Sequence, residues 1–143
     1  MISLELNNTT KTPVCRRSLE RLLNLAQKTS KYRGKALVSL GVVGNQKIRQ
    51  LNKTYRKIDK VTDVLSFENS DSEYAEDPIG EILVCLPVAK AQAKKIKHSL
   101  KKEVNRLVLH GFLHLIGYDH EKESEAAKME SLETKILNKY DQV

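Results

Sequence analysis

Residues 79–98 read IGEILVCLPVAKAQAKKIKH, and the pattern of apolar residues changes partway along. IGEILVCL is a nearly continuous apolar run, as a well-buried strand reads. Pro87 ends it, because proline has no N–H to give to a ladder. From Val88 the chain turns helical and runs to a break near Ser99, a residue suited to cap the next helix. A strand that feeds a helix in this way is the building unit of an α/β domain.

The same alternation extends toward both ends. Ile2, Leu4 and Leu6 alternate with Ser3, Glu5 and Asn7, the period-two mark of a strand with one face buried. Thr12 followed by Pro13 starts a helix that carries Cys15, Leu19, Leu22, Leu23 and Ala26 on one face. KALVSLGVV (35–43) reads as a second strand, and Asn45 as the cap of a helix with the stripe Ile48, Leu51, Tyr55 and Ile58. TDVLSF (62–67) reads as a third strand. The segment 68–77, ENSDSEYAED, holds five carboxylates without periodicity and reads as an exposed hairpin loop leading to the strand at 79–86. A helix from about Leu100 to Ile116 stops at Gly117, and a last helix from about Lys122 places Ala126, Met129, Leu132, Ile136 and Tyr140 on one side. The expected fold is α/β (α+β): a four-stranded mixed sheet packed against about five helices, in one domain spanning the 143 residues.

Composition narrows the function. A net charge of +7 favours anionic partners, nucleic acid foremost. Cys15 and Cys85 form no CxxC pair and read as buried thiols of a reduced, cytoplasmic protein. No apolar run approaches membrane-spanning length and no leader pattern opens the chain, so neither membrane insertion nor export is expected.

HGFLHLIGYDH (110–120) contains three of the four histidines. His110 and His114, four apart on a helix, stack their rings on one face. His120 follows beyond the helix-stopping Gly117, where a chain reversal brings a third imidazole toward the first two. Three neutral imidazoles suit zinc or another borderline divalent ion. An open fourth position would hold a water whose pKa falls from about 15.7 toward about 7, a nucleophile at neutral pH. The competing reading is three ordinary core histidines. The spacing is that of the metalloprotease motif HExxHxxGxxH, but Gly111 stands where that motif keeps its glutamate base, which counts against peptide hydrolysis.

HGFLHLIGYDH resembles the signature of the YbeY family of bacterial endoribonucleases, also called rRNA maturation factors. LNKTYRKIDKVTDVLSF (51–67) resembles that family's LNxxYRxxDxPTDVLSF, and IGEILVCLPVAKAQA (79–93) its GDIxIxxxxAxxQA. The three segments occur in the family's order. The resemblance implies that His110, His114 and His120 are metal ligands, usually of zinc, and that Arg56 faces the metal in a catalytic role. It further implies action on single-stranded RNA, in maturation of the 3′ end of small-subunit rRNA and in ribosome quality control, with the ribosome or its proteins as partners and no DNA. Val61, Glu68 and Glu81 depart from the family pattern, where proline, proline and aspartate are usual.

Each remaining candidate carries two readings. Arg56 suits phosphodiester chemistry through its planar fork, or pairs with Asp59 or Asp63 at a helix end. Asp119 orients His110 or His114, or caps the last helix. Asp63 and Ser66 face a cleft, or bond local backbone. Lys90, Lys94, Lys95, Lys97, Lys101, Lys102 and Arg106 form a solvated face or a footprint for RNA phosphates. The expectation is a metal-dependent endoribonuclease, set against a metallohydrolase of another class such as a peptidase, or a ribosome-associated RNA-binding module with a structural metal.

Overall fold

The computed structural model describes residues 1–69, 71–119 and 121–142. In chain order the elements are β1 (Ser3–Asn8), α1 (Arg16–Ser30), β2 (Leu37–Val43), α2 (Asn45–Arg56), β3 (Val64–Glu68), β4 (Gly80–Cys85), α3 (Leu86–Ile96), α4 (Leu100–Leu115) and α5 (Glu123–Asp141). The four strands form one mixed sheet in the order β1-β2-β4-β3. β1 and β4 both run parallel to β2, while β3 returns antiparallel to β4 as the expected hairpin. β3 therefore lies at an edge of the sheet, next to the strand that follows it in sequence.

The two faces are covered unequally. Val38, Leu40, Val42, Ile82 and Val84 point to the face where α1 and α4 pack, and α5 lies outside those two helices. This side holds the main core, with Leu22, Leu23, Leu109, Phe112 and Leu113 wholly buried. Across the sheet, α2 closes a smaller core of Val43, Ile48, Leu65, Leu83 and Cys85.

Local chemistry explains where elements begin and end, and in places overrides the sequence expectation. Ser99 Oγ accepts from the Lys102 N–H at 3.1 Å and caps α4 as expected. Gly117 adopts φ 108, and the pair Tyr118 N–H to Leu113 C=O and Gly117 N–H to His114 C=O closes the helix end in a Schellman motif. α1 starts later than Thr12–Pro13: Cys15 occupies the cap position and is exposed, not buried, because it precedes the turn that first presents a face to the core. Gly44, not Asn45, is the cap residue of α2; Asn45 is the first helical residue, and its Oδ1 receives the Cys85 thiol at 3.2 Å. The α2 stripe also fades: Tyr55 in its last turn is 66% exposed, and Ile58, 48% exposed, lies beyond the helix, which ends at Arg56. Its buried polar residue is Asn52, whose Nδ2 donates to the Lys60 carbonyl at 3.0 Å and holds the link to β3.

Candidate active site

Gly111 decides where the histidines of α4 lie. A Cβ at this position would stand 2.8 Å from Ile82 Cγ2, so only glycine lets α4 rest directly on β4. The approach fills the space where the metalloprotease motif keeps its glutamate with Ile82, a neighbouring chain segment. Ile82 pairs with Ser66 of β3, and the His110–His114 turn thus sits over the edge of the sheet.

A cleft of about 610 Å³ opens there. Its walls bring together Arg56, Asp63, Ser66, His110, His114 and Asp119, with Gly111 between the two histidines. His120, the seventh residue singled out in the sequence, lies outside the described residues.

The two described imidazoles converge. His110 Nε2 and His114 Nε2 are 3.2 Å apart, with ring centroids at 4.7 Å. Nitrogens bound at about 2.0–2.1 Å to one tetrahedral zinc stand about 3.3 Å apart, so this pair has the separation of two ligands on one ion. On its other side His110 Nδ1 lies 2.6 Å from Glu133 Oε1 of α5. A carboxylate only accepts, so Nδ1 donates to Glu133 and Nε2 is the ring nitrogen turned toward His114 and the cleft, the one available to a metal ion. This donor chemistry fits a divalent ion. Among the described residues no third histidine, cysteine or carboxylate joins the pair as a metal-holding group.

Glu133 was not singled out in the sequence. It falls in helical register with Met129, Ile136 and Tyr140, a carboxylate on the face that packs inward, and that misplaced charge was its signal. Asp119 does not take the His110 Nδ1 position, which Glu133 holds; its Oδ1 accepts from the Glu121 N–H at 3.2 Å. The residue at the cap of α5 is Lys122.

The opposite wall belongs to the end of α2 and to β3. Lys57 takes the left-handed conformation at φ 60 and stops α2 directly after Arg56. Arg56 donates to the Ser66 carbonyl at 2.9 Å, and its guanidinium lies 5.6 Å over the Phe67 ring, itself 5.4 Å from Tyr55. Among the described residues Arg56 pairs with neither Asp59 nor Asp63. Asp59 is held by Arg49 at 2.8 Å, which lowers the carboxyl pKa and raises that of the guanidinium. Asp63 accepts the Val64 N–H at 2.8 Å through Oδ1 and Gln92 Nε2 at 3.3 Å through Oδ2, combining a local turn with a tie to α3.

Arg106 is committed elsewhere than to the basic face proposed for it. It grips Glu103 with two hydrogen bonds, at 2.6 and 3.0 Å, while His98 Nε2 meets the same carboxylate at 3.0 Å. Burial pushes the Glu103 carboxyl up, but Arg106 and His98 together outweigh it and hold it below its ordinary value. The six lysines of that face, Lys90, Lys94, Lys95, Lys97, Lys101 and Lys102, are exposed.

Known proteins share this architecture. The family model described as Endoribonuclease YbeY matches residues 2–141. Endoribonuclease YbeY of Staphylococcus carnosus (strain TM300) is 41% identical over 128 residues, 85% of this chain and 84% of that protein. The protein of the same name from Acholeplasma laidlawii (strain PG-8A) is 47% identical over 97 residues, 68% of this chain and 69% of its own. The solution structure of a Thermotoga maritima protein matches with a TM-score of 0.65 at 29% identity, covering 98% of this chain and 89% of the other. The sheet, the α4 histidines and the α2–β3 wall all fall within the matched span, and the chain belongs to the endoribonuclease YbeY family.

Proposed function

We propose that the chain is a metal-dependent, single-strand-specific endoribonuclease of the cytoplasm that acts in maturing the 3′ end of small-subunit rRNA and in ribosome quality control. The observation that carries this reading is the 3.2 Å approach of two imidazole nitrogens on one wall of a cleft whose other wall presents Arg56. His110 and His114 would hold the ion, zinc by donor type, and His120 completes the proposed set by its spacing. A bound divalent ion supplies a Lewis acid for a phosphoryl oxygen and brings the pKa of water near neutrality.

The protein's own groups do the rest. Glu133 keeps the proton of His110 on Nδ1, away from the cleft. Arg56, anchored by Ser66 and Phe67, has further N–H donors to stabilise the negative charge that develops on the phosphoryl oxygens. Lys60 lines the same cleft and offers a second cation, beside Arg56, to a phosphate. With Ile82 filling the space beside Gly111, no carboxylate stands where metalloproteases keep their base, and RNA is favoured over peptide. The ribosome or its proteins are the proposed setting, with RNA and not DNA as substrate.

The test is His114→Ala, read by metal content and by cleavage of a single-stranded RNA. Both are expected to fall, cleavage by at least about 100-fold. Cleavage that persists in metal-free variant protein would refute the reading.

A further inference from the structure

The free edge of β3 runs along the cleft, and its hydrogen-bonding groups can be assigned one by one. Cys85 N–H donates to Asp63 C=O at 2.8 Å, and Asn69 N–H to Ile79 C=O at 2.9 Å. Those contacts mark hydrogen-bonded rungs at the two ends of the β3–β4 ladder. Bonded and non-bonded pairs alternate in an antiparallel ladder. Counting inward from either end, Leu65 and Phe67 bond to β4, whereas Val64, Ser66 and Glu68 turn their N–H and C=O groups outward.

On that outward row the Val64 N–H is taken by Asp63 Oδ1, and the Ser66 carbonyl by Arg56. The Ser66 N–H has no partner among the described residues. It lies in the same cleft lining as both histidines, and Ser66 pairs with the Ile82 on which Gly111 rests. The donor therefore stands on the rung beneath the histidine turn, next to the arginine fork.

We propose that the Ser66 backbone N–H and the Arg56 guanidinium form a two-donor clamp for the non-bridging oxygens of the scissile phosphodiester. The inference rests on the endoribonuclease reading above and names how the substrate phosphate is held. A backbone N–H in a strand is fixed before substrate arrives and carries no counter-ion, which suits it to charge that appears only in the transition state. It also gives a use to an unpaired sheet edge, which proteins otherwise cover or blunt.

Proline tests this directly, because an edge strand tolerates it where the N–H faces outward. Ser66→Ala keeps the N–H and supplies the reference rate. Ser66→Pro is expected to melt like Ser66→Ala and to cleave single-stranded RNA about 100- to 1,000-fold more slowly, the loss seen when one oxyanion donor is removed. It should also lose the slowing that one phosphorothioate diastereomer at the scissile position imposes on Ser66→Ala. Equal rates and equal thio effects in the two variants, with wild type active and His114→Ala inactive, would overturn the clamp alone. An inactive wild type would overturn the clamp together with the endoribonuclease reading. If Ser66→Pro fails to fold, the wild-type amide decides: in metal-depleted, ¹⁵N-labelled protein the Ser66 amide proton should move downfield on adding a short single-stranded RNA. A stationary Ser66 signal while Arg56 signals move would overturn the proposal.

Discussion

Arg106→Met keeps the aliphatic stem that packs along α4 but strips Glu103 of two hydrogen bonds. Glu103 is 0% exposed and cannot turn to water. Taking one partner from a buried ion pair costs about 3–5 kcal/mol. The Arg106 side chain is 36% exposed, so solvent already screens part of the interaction and the low end, about 3 kcal/mol, applies. In a domain of this size that lowers Tm by about 6–12 °C. The pH dependence should change sign as well. In the native protein the folded carboxyl is held low, so its contribution is present above the unfolded value of about 4.3 and is lost as pH falls through the folded one. In the variant, burial faces only His98, and the folded value rises above the unfolded one. Stability is then lost as pH climbs through that raised value. Urea unfolding between about pH 3 and pH 8 reads both effects. A loss below about 1 kcal/mol, or one that is constant across this range, would refute the reasoning. So would a Glu103→Leu/Arg106→Met double variant no more stable than Arg106→Met, since replacing both partners with apolar groups is about neutral.

Glu133→Gln should weaken zinc binding about 10- to 100-fold by isothermal titration, with the fold intact, because His110 Nδ1 then faces a neutral amide that can donate as well as accept and no longer fixes its tautomer; unchanged affinity would count against that role. Gly111→Ala should separate stability from activity. Overpacking against Ile82 costs about 1–3 kcal/mol and helix propensity returns about 1, so stability falls by less than about 2 kcal/mol. Cleavage should fall by at least about 10-fold as the histidine turn lifts off the sheet, and unchanged cleavage would show that the close approach is not needed. For the two thiols, the Ser18 backbone N–H lowers the pKa of exposed Cys15, whereas burial raises that of Cys85. Maleimide followed by mass spectrometry should label Cys15 in the native protein and Cys85 only after unfolding.

Periodicity and punctuation carried most of the architecture. Among the described residues the four strands and five helices were legible, as were the β3–β4 hairpin, the Ser99 cap and the turn at Gly117. The placement of β4 between β2 and β3 was not, because a strand's apolar pattern states how deeply it is buried and not which neighbour it meets. Tyr55 and Ile58 continue the apolar spacing of Ile48 yet are exposed, since spacing alone does not reveal that α2 stops at Arg56, before Ile58. Glu103 and Arg106, three apart on a helix, look like an ordinary surface pair, and only the packing of α4 puts the carboxylate inside. The helix spacing of His110 and His114 made their neighbouring rings legible. Glu133 was visible as a charge out of place but not as their neighbour, because that contact spans 23 positions of chain.

The unequal covering of the sheet has a dynamic consequence. The histidine wall is built on the thick side, from a helix packed against β3, β4, α1, α3 and α5. The arginine wall hangs from α2, seated on the smaller core of Val43, Ile48, Leu65, Leu83 and Cys85. Segments with few buried apolar contacts open at lower free energy. Amide exchange should therefore reach α2 well before α4, the guanidinium flank of the cleft yielding more readily than the imidazole flank.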